Sequence, residues 1–171
     1  FETDLFRPIV KEIESEVKSQ GQGVNKALIY SVADHIRAIV FAIYDAVLPS
    51  NEGRGYVVRK LIRKSIMHLR EMGIEKPLLY KLVPVLSEIM KDAYPEISLR
   101  RENIAQIILA EEKSFICTLE SSRSLFQNKF KELAKNQDPQ KAGMIAFELY
   151  DTYGIQFELT KKCADDNVII I

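Results

Sequence analysis

The stretch LPSNEGRGYVVRKLIRKSIMHLR, residues 48–70, gathers the side chains of this chain best suited to chemistry with an anion. Arg54, Arg59, Lys60, Arg63, Lys64 and Arg70 follow Glu52, and no acid recurs until Glu71. The whole chain carries 24 basic and 24 acidic residues, so the excess is local. On a helix over 57–72 turning about 100° per residue, Arg59, Lys60, Arg63, Lys64 and Arg70 gather away from Val58, Leu61, Ile62, Ser65, Ile66, Leu69 and Met72, which share the packing face. Solvated helix faces ordinarily mix signs, because Glu and Lys one turn apart attract. Here Arg59/Arg63 and Lys60/Lys64 repel, at about 0.3 kcal/mol per pair. They also crowd the start of the helix, where the macrodipole disfavours positive charge. A polyanion would offset both costs, so phosphate contact fits the pattern; a plain solvated face is the alternative.

The turn before the helix adds a second chemistry. Ser50 and Asn51 are short polar groups at a bend, and Gly53 and Gly55 allow the backbone to approach a surface closely. GRG is not a phosphate-cradling loop, since neither G-x-G-x-x-G nor G-x-x-x-x-G-K-[ST] occurs. Asn51 can equally serve as an ordinary turn residue.

The elements that must carry these groups read as helices. Leu5, Ile9, Ile13 and Val17 recur every fourth position over 4–19, and GQG at 21–23 ends that segment. Asn25 is placed to cap a second helix running to about Val47, apolar nearly all round and therefore expected to be buried. Gly73 ends the basic helix. Pro77 suits the first turn of a fourth helix, and Pro84 is expected to kink it. Pro95 opens a long helix to about Ala134, with a stripe that includes Ile104, Ile108, Glu111, Phe115 and Leu119. A shorter helix is expected after Gly143, ending near Tyr150. The terminal VIII reads as an edge strand or the start of a following domain. The predicted fold class is all-α: a helical bundle with one long helix over about 96–134 and little or no sheet. The expected organisation is a helical domain over 1–165, followed by the start of a linker at 166–171.

Composition agrees with a globular domain: 171 residues, 47% apolar and 28% charged. No apolar run approaches the roughly 20 residues of a membrane span, so no membrane partner is expected. The opening FETDLF is acidic where a secretory leader would be basic. The missing initiator Met suggests a piece of a longer protein. Cys117 and Cys163 are far apart and lack a C-x-x-C partner, which suits a reducing, cytoplasmic setting and inert thiols. His35 and His68 lack metal-ligand spacing and read as structural. No catalytic site and no metal site can be assembled from these residues.

The segment VADHIRAIVFAIYDAVLPSNEGRGYVVRKLIRKSIMH, 32–68, closely resembles the signature region of alanyl-tRNA synthetases. EEKSFICTLESSRSLF and GMIAFELYDTYGIQFELT resemble later segments of the same family in the same order, and FETDLFRPIV is similar to the stretch after its catalytic core. The resemblance thus covers nearly the whole chain. It implies the helical tRNA-recognition region of a class II synthetase, between the catalytic and editing domains. It further implies that Asn51 and Asp151 read the wobble G·U pair of the acceptor stem of the tRNA for alanine. Arg54 in the turn and the basic helix, with Arg59, Lys60, Arg63 and Lys64, would bind the stem. An acceptor-only carboxylate such as Asp151 suits the guanine 2-amino group in the accessible minor groove of A-form RNA. Asn51 offers both donor and acceptor, and could meet the pyrimidine carbonyl or share the amino group. Asp151 read without the resemblance could be a local cap. This chain departs from the family at Ile155 and Gln156, where an aromatic and a proline are usual, and at Ala46, where glycine is common.

The resemblance implies a parent enzyme that uses ATP with Mg2+ to attach alanine, with zinc in its editing domain; this segment is expected to need no cofactor and to be inactive alone. The expected partners are that tRNA and the flanking catalytic and editing domains, with no DNA. The competing readings are a helical protein–protein interaction module and a sequence-blind RNA-binding bundle.

Overall fold

Pro8 decides where the first helix starts. The computed structural model describes residues 3–21, 23–136, 139–153 and 160–161, with side chains over 3–21, 23–121, 140–148 and 160–161. Helix α1 (Arg7–Ser19) begins at Arg7, not at residue 4, with the proline in the first turn, where its missing N–H costs nothing. Leu5 stays outside the stripe and exposed, while Ile9, Val10, Ile13 and Val17 are buried. Helix α2 (Lys26–Tyr44) is capped as expected: Asn25 Oδ1 accepts from the amides of Ala27, at 3.1 Å, and Leu28, at 3.4 Å. Its buried residues, from Ile29 through Val32, Ile36, Ile39 and Val40 to Ile43, face α1, α3 and α4. Contrary to the sequence expectation, α2 is by length and composition long and apolar enough to cross a membrane. Packing against its three neighbours accounts for its apolar character as the core helix.

Helix α2 stops earlier than predicted. Val47 N–H donates to Ala42 O at 2.9 Å and Ala46 N–H to Ile43 O at 3.0 Å, with Ala46 at φ 62°. This is a Schellman ending with a non-glycine residue in the left-handed position. Helix α3 (Gly53–Glu71) ends the same way, with Gly73 at φ 81° and Ile74 N–H donating to Leu69 O at 3.0 Å. Val58, Ile62, Ser65, Ile66 and Leu69 form its buried face, as the wheel predicts.

Helix α4 (Leu79–Met90) starts just beyond Pro77 and runs on through Pro84. Its first amides are capped from a distance. The N–H groups of Leu78, Leu79 and Tyr80 donate to the Glu112 carboxylate at 2.9, 2.9 and 3.1 Å. Helix α5 (Pro95–Asn136) is the long helix. Ile97, Ile104, Ala105 and Ile108 on it are buried, and Ser87 Oγ lies 3.2 Å from Ser98 Oγ. Helix α6 (Pro139–Tyr153) begins before Gly143 and runs through it. A single exposed glycine costs a helix only about 1 kcal/mol, too little to stop it.

The chain divides into two compact units, Phe1–Ser114 and Phe115–Ile171. The first holds α1–α4 and the start of α5 around the α2 core. The second holds the rest of α5 and α6, where Ala142 and Ala146 are buried. Among the described residues all regular structure is helical, in agreement with the all-α expectation. The terminal VIII lies outside the described residues.

Candidate nucleic-acid interface

The turn between α2 and α3 is closed by its own backbone. Ser50 N–H donates to Gly55 O at 3.1 Å, and Ser50 Oγ donates to Glu52 O at 2.8 Å. Gly55 is buried beneath this closure. A Cβ there would stand 2.1 Å from Leu48 O and 2.3 Å from Ser50 Oγ, so no other residue fits without opening the turn. Asn51 is thereby held exposed on a short, cross-bonded loop, and Arg54 is exposed in the first turn of α3.

The basic face of α3 is not uniform. Lys60 and Lys64 are exposed, but Arg59 and Arg63 are half-buried against Glu111 of α5. Arg59 Nε lies 3.0 Å from Glu111 Oε1. Its N–H is not aligned for a hydrogen bond, so the contact is an ion pair. Arg63 Nε donates to the same oxygen at 3.3 Å. The purely cationic face read from the helical wheel therefore contains an acid contributed by a distant segment. The repulsion between Arg59 and Arg63 is offset inside the protein before any polyanion arrives.

Arg59 also reaches back to the turn, where its Nη1 donates to Asn51 Oδ1. A guanidinium has no acceptor, so the amide atom facing it must be the oxygen. The Asn51 nitrogen, with its N–H donors, is left for an outside acceptor. The alternative left open by the sequence is thus narrowed by chemistry: the amide is set to donate.

Beside these cations, His35 and His68 stack with ring centroids 6.0 Å apart. Ser65 Oγ donates to Leu61 O at 2.9 Å, so the 3.0 Å contact with His35 Nδ1 has the imidazole as donor. Burial, then the neighbouring His68 and Lys64, push the His35 pKa down against a smaller opposing pull from Asp34. Burial and then Lys64 do the same to His68 against Glu71. Two neutral rings add no charge to the basic face, which fits their structural reading. No group of three or more His, Cys, Asp or Glu among the described residues could hold a metal ion. Cys117 is exposed and free.

Asp151 lies on α6, and its side chain lies outside the described residues, as do Ile155 and Gln156. The sequence reading missed the pairing of Glu111. A partial signal was present: a carboxylate in the stripe between Ile108 and Phe115 has to find a cation or a set of amides, and α3 offered unneutralised cations.

The family described as tRNA synthetases class II (A) matches residues 1–171. The chain belongs to this family. Among similar proteins is the alanine–tRNA ligase of Ligilactobacillus salivarius, 46% identical over 169 residues, covering 97% of this chain and 19% of the relative. The alanine–tRNA ligase of Streptococcus pneumoniae is 44% identical over 167 residues, with the same coverage. That of Lactobacillus gasseri is 46% identical over 169 residues. The chain thus spans about a fifth of the length of the curated relatives it matches, at 19%. The segments that resemble alanyl-tRNA synthetases fall within a family match that includes every candidate site residue.

Proposed function

We propose that this segment selects the tRNA for an alanine–tRNA ligase, by binding the acceptor stem and reading its G·U wobble pair. The observation that carries this reading is the exposed Asn51, held on a closed turn with its amide oxygen bonded to Arg59, which leaves the amide nitrogen to donate. A base edge offers acceptors in the shallow minor groove of RNA. Asp151 is assigned the complementary role, accepting from the guanine 2-amino group. Arg54, Lys60 and Lys64, exposed at or near the turn, supply phosphate contacts that fix register and affinity without reading sequence. Arg63 keeps Glu111 occupied and completes the basic surface. Attachment of alanine using ATP with Mg2+ belongs to the catalytic domain of the whole enzyme, which is expected to be cytoplasmic. Zinc is assigned to the editing domain; the described residues here do not fit it.

The test is the ratio of kcat/KM for charging G·U and G·C acceptor-stem variants by the full-length enzyme. Asn51→Ala and Asp151→Ala should each cut that ratio at least tenfold, as expected when a base-reading hydrogen bond is lost. Equal charging of the two stems by the unmodified enzyme, or ratios unchanged by both substitutions, would contradict the proposal. A sequence-blind binder would show steep salt dependence and no preference.

A further inference from the structure

We infer that Arg59 is a positioning residue for the base-reading amide and not a phosphate contact: anchored by the buried Glu111 carboxylate, it locks Asn51 with its nitrogen outward. This rests on the reading of Asn51 proposed above and adds two residues to it.

An exposed asparagine at a turn exchanges its oxygen and nitrogen by a half-turn of the amide, and so presents a donor or an acceptor indifferently. A site that discriminates bases must remove that freedom. Arg59 does so because it carries donors only, and it faces Oδ1. The guanidinium needs its own anchor, since a flexible arginine would follow the amide. Glu111 is that anchor, with a side chain 9% exposed and Oε1 3.0 Å from Arg59 Nε. Arg59 itself is only 22% exposed. Its charge is met within the protein, and swinging out to a phosphate would abandon Glu111 in a buried place. The planar fork is essential, because one edge meets the carboxylate while Nη1 meets the amide; a lysine offers a single point of charge that cannot hold both. Arg63, at 3.3 Å from the same Glu111 oxygen, braces the carboxylate from a second side. Lys60 and Lys64, on the same helix and exposed, have the environment of phosphate contacts that Arg59 lacks.

The experiment compares Asn51→Ala, Arg59→Ala, Arg59→Lys and Glu111→Gln in the full-length enzyme. It reads kcat/KM on G·U and G·C stems at two salt concentrations, with melting temperatures to check folding. Positioning predicts that Arg59→Ala and Glu111→Gln each lower the G·U preference about tenfold. Arg59→Lys fails to restore it, the salt slope is unchanged, and Arg59→Ala adds nothing once Asn51 is alanine. A phosphate contact predicts the opposite pattern: Arg59→Ala weakens both stems equally and flattens the salt slope, Arg59→Lys recovers activity, and Glu111→Gln tightens binding of both stems. That pattern overturns the inference. If Asn51→Ala abolishes the preference while Arg59→Ala and Glu111→Gln keep it, this inference alone fails. If Asn51→Ala leaves the preference intact, the reading of Asn51 fails with it. Glu111→Gln preserves side-chain volume, and Arg59→Lys preserves charge, so the comparison survives misfolding of the alanine variant.

Discussion

Glu111 and Glu112 are neighbours on α5, both buried, and they hold different parts of the molecule. Glu112 is fully enclosed and serves the fold, its carboxylate taking three amides at the start of α4. Burial pushes its pKa up, and those amide hydrogen bonds pull it part of the way back. Glu111 keeps 8% of its surface and meets two arginines that lead to the turn at Asn51. Successive residues on a helix point about 100° apart, so one short segment of α5 serves two neighbours. The helix ends draw a related contrast. At the end of α3 the left-handed position holds Gly73, which fits it without strain. At the entry to the turn, the same position holds Ala46, at φ 62°. At the start of α4 three amides are met by one carboxylate, whereas the entry to the candidate site retains a strained residue.

The contrast is broken most severely at Glu112. Glu112→Ala strands the buried amides of Leu78 and Leu79 and the half-buried amide of Tyr80, and should cost about 3 kcal/mol in chemical unfolding of this chain. A loss below about 0.5 kcal/mol would mean that the start of α4 is readily solvated and the cap is dispensable. Glu111→Gln should cost less, about 1 kcal/mol, because its half-buried arginines can turn partly to solvent. The smallest effect has the opposite sign. Ala46→Gly relieves the left-handed alanine and should stabilise by about 0.5 kcal/mol, the relief being reduced by the greater freedom of glycine in the unfolded chain. Destabilisation by this change would show that the Cβ of Ala46 makes packing contacts that outweigh the strain.

Much of the helical plan was readable from the chain. Asn25 announced the cap of α2, Gly73 the end of α3 and Pro95 the start of α5, because each acts through the backbone within a few residues. The misplaced boundaries have local causes as well. Leu5 kept the spacing of α1 but lies ahead of the turn containing Pro8. Ala46 hid the end of α2, since the residue that usually marks such an ending is absent. Asn51 was legible as a polar group at a bend, and the packing face of α3 was legible from its period. What the local pattern could not supply was the partner of each charge. Glu111 lies 52 positions after Arg59 and 48 after Arg63, and Glu112 lies 34 after Leu78, so these contacts exist only once α5 folds back. An acid in an apolar stripe signals that a cation or an amide must meet it, without saying which.

The most direct test of this division between the two carboxylates is a pair of double-mutant cycles in the full-length enzyme. Asn51→Ala is combined with Glu111→Gln in one cycle and with Glu112→Gln in the other, and both are read as the G·U over G·C ratio of kcat/KM. A coupling of about 1.4 kcal/mol, the equivalent of the tenfold effect, is expected between Asn51 and Glu111, and additivity within about 0.3 kcal/mol between Asn51 and Glu112. Additive behaviour of Asn51 with Glu111, or equal coupling in both cycles, would contradict it.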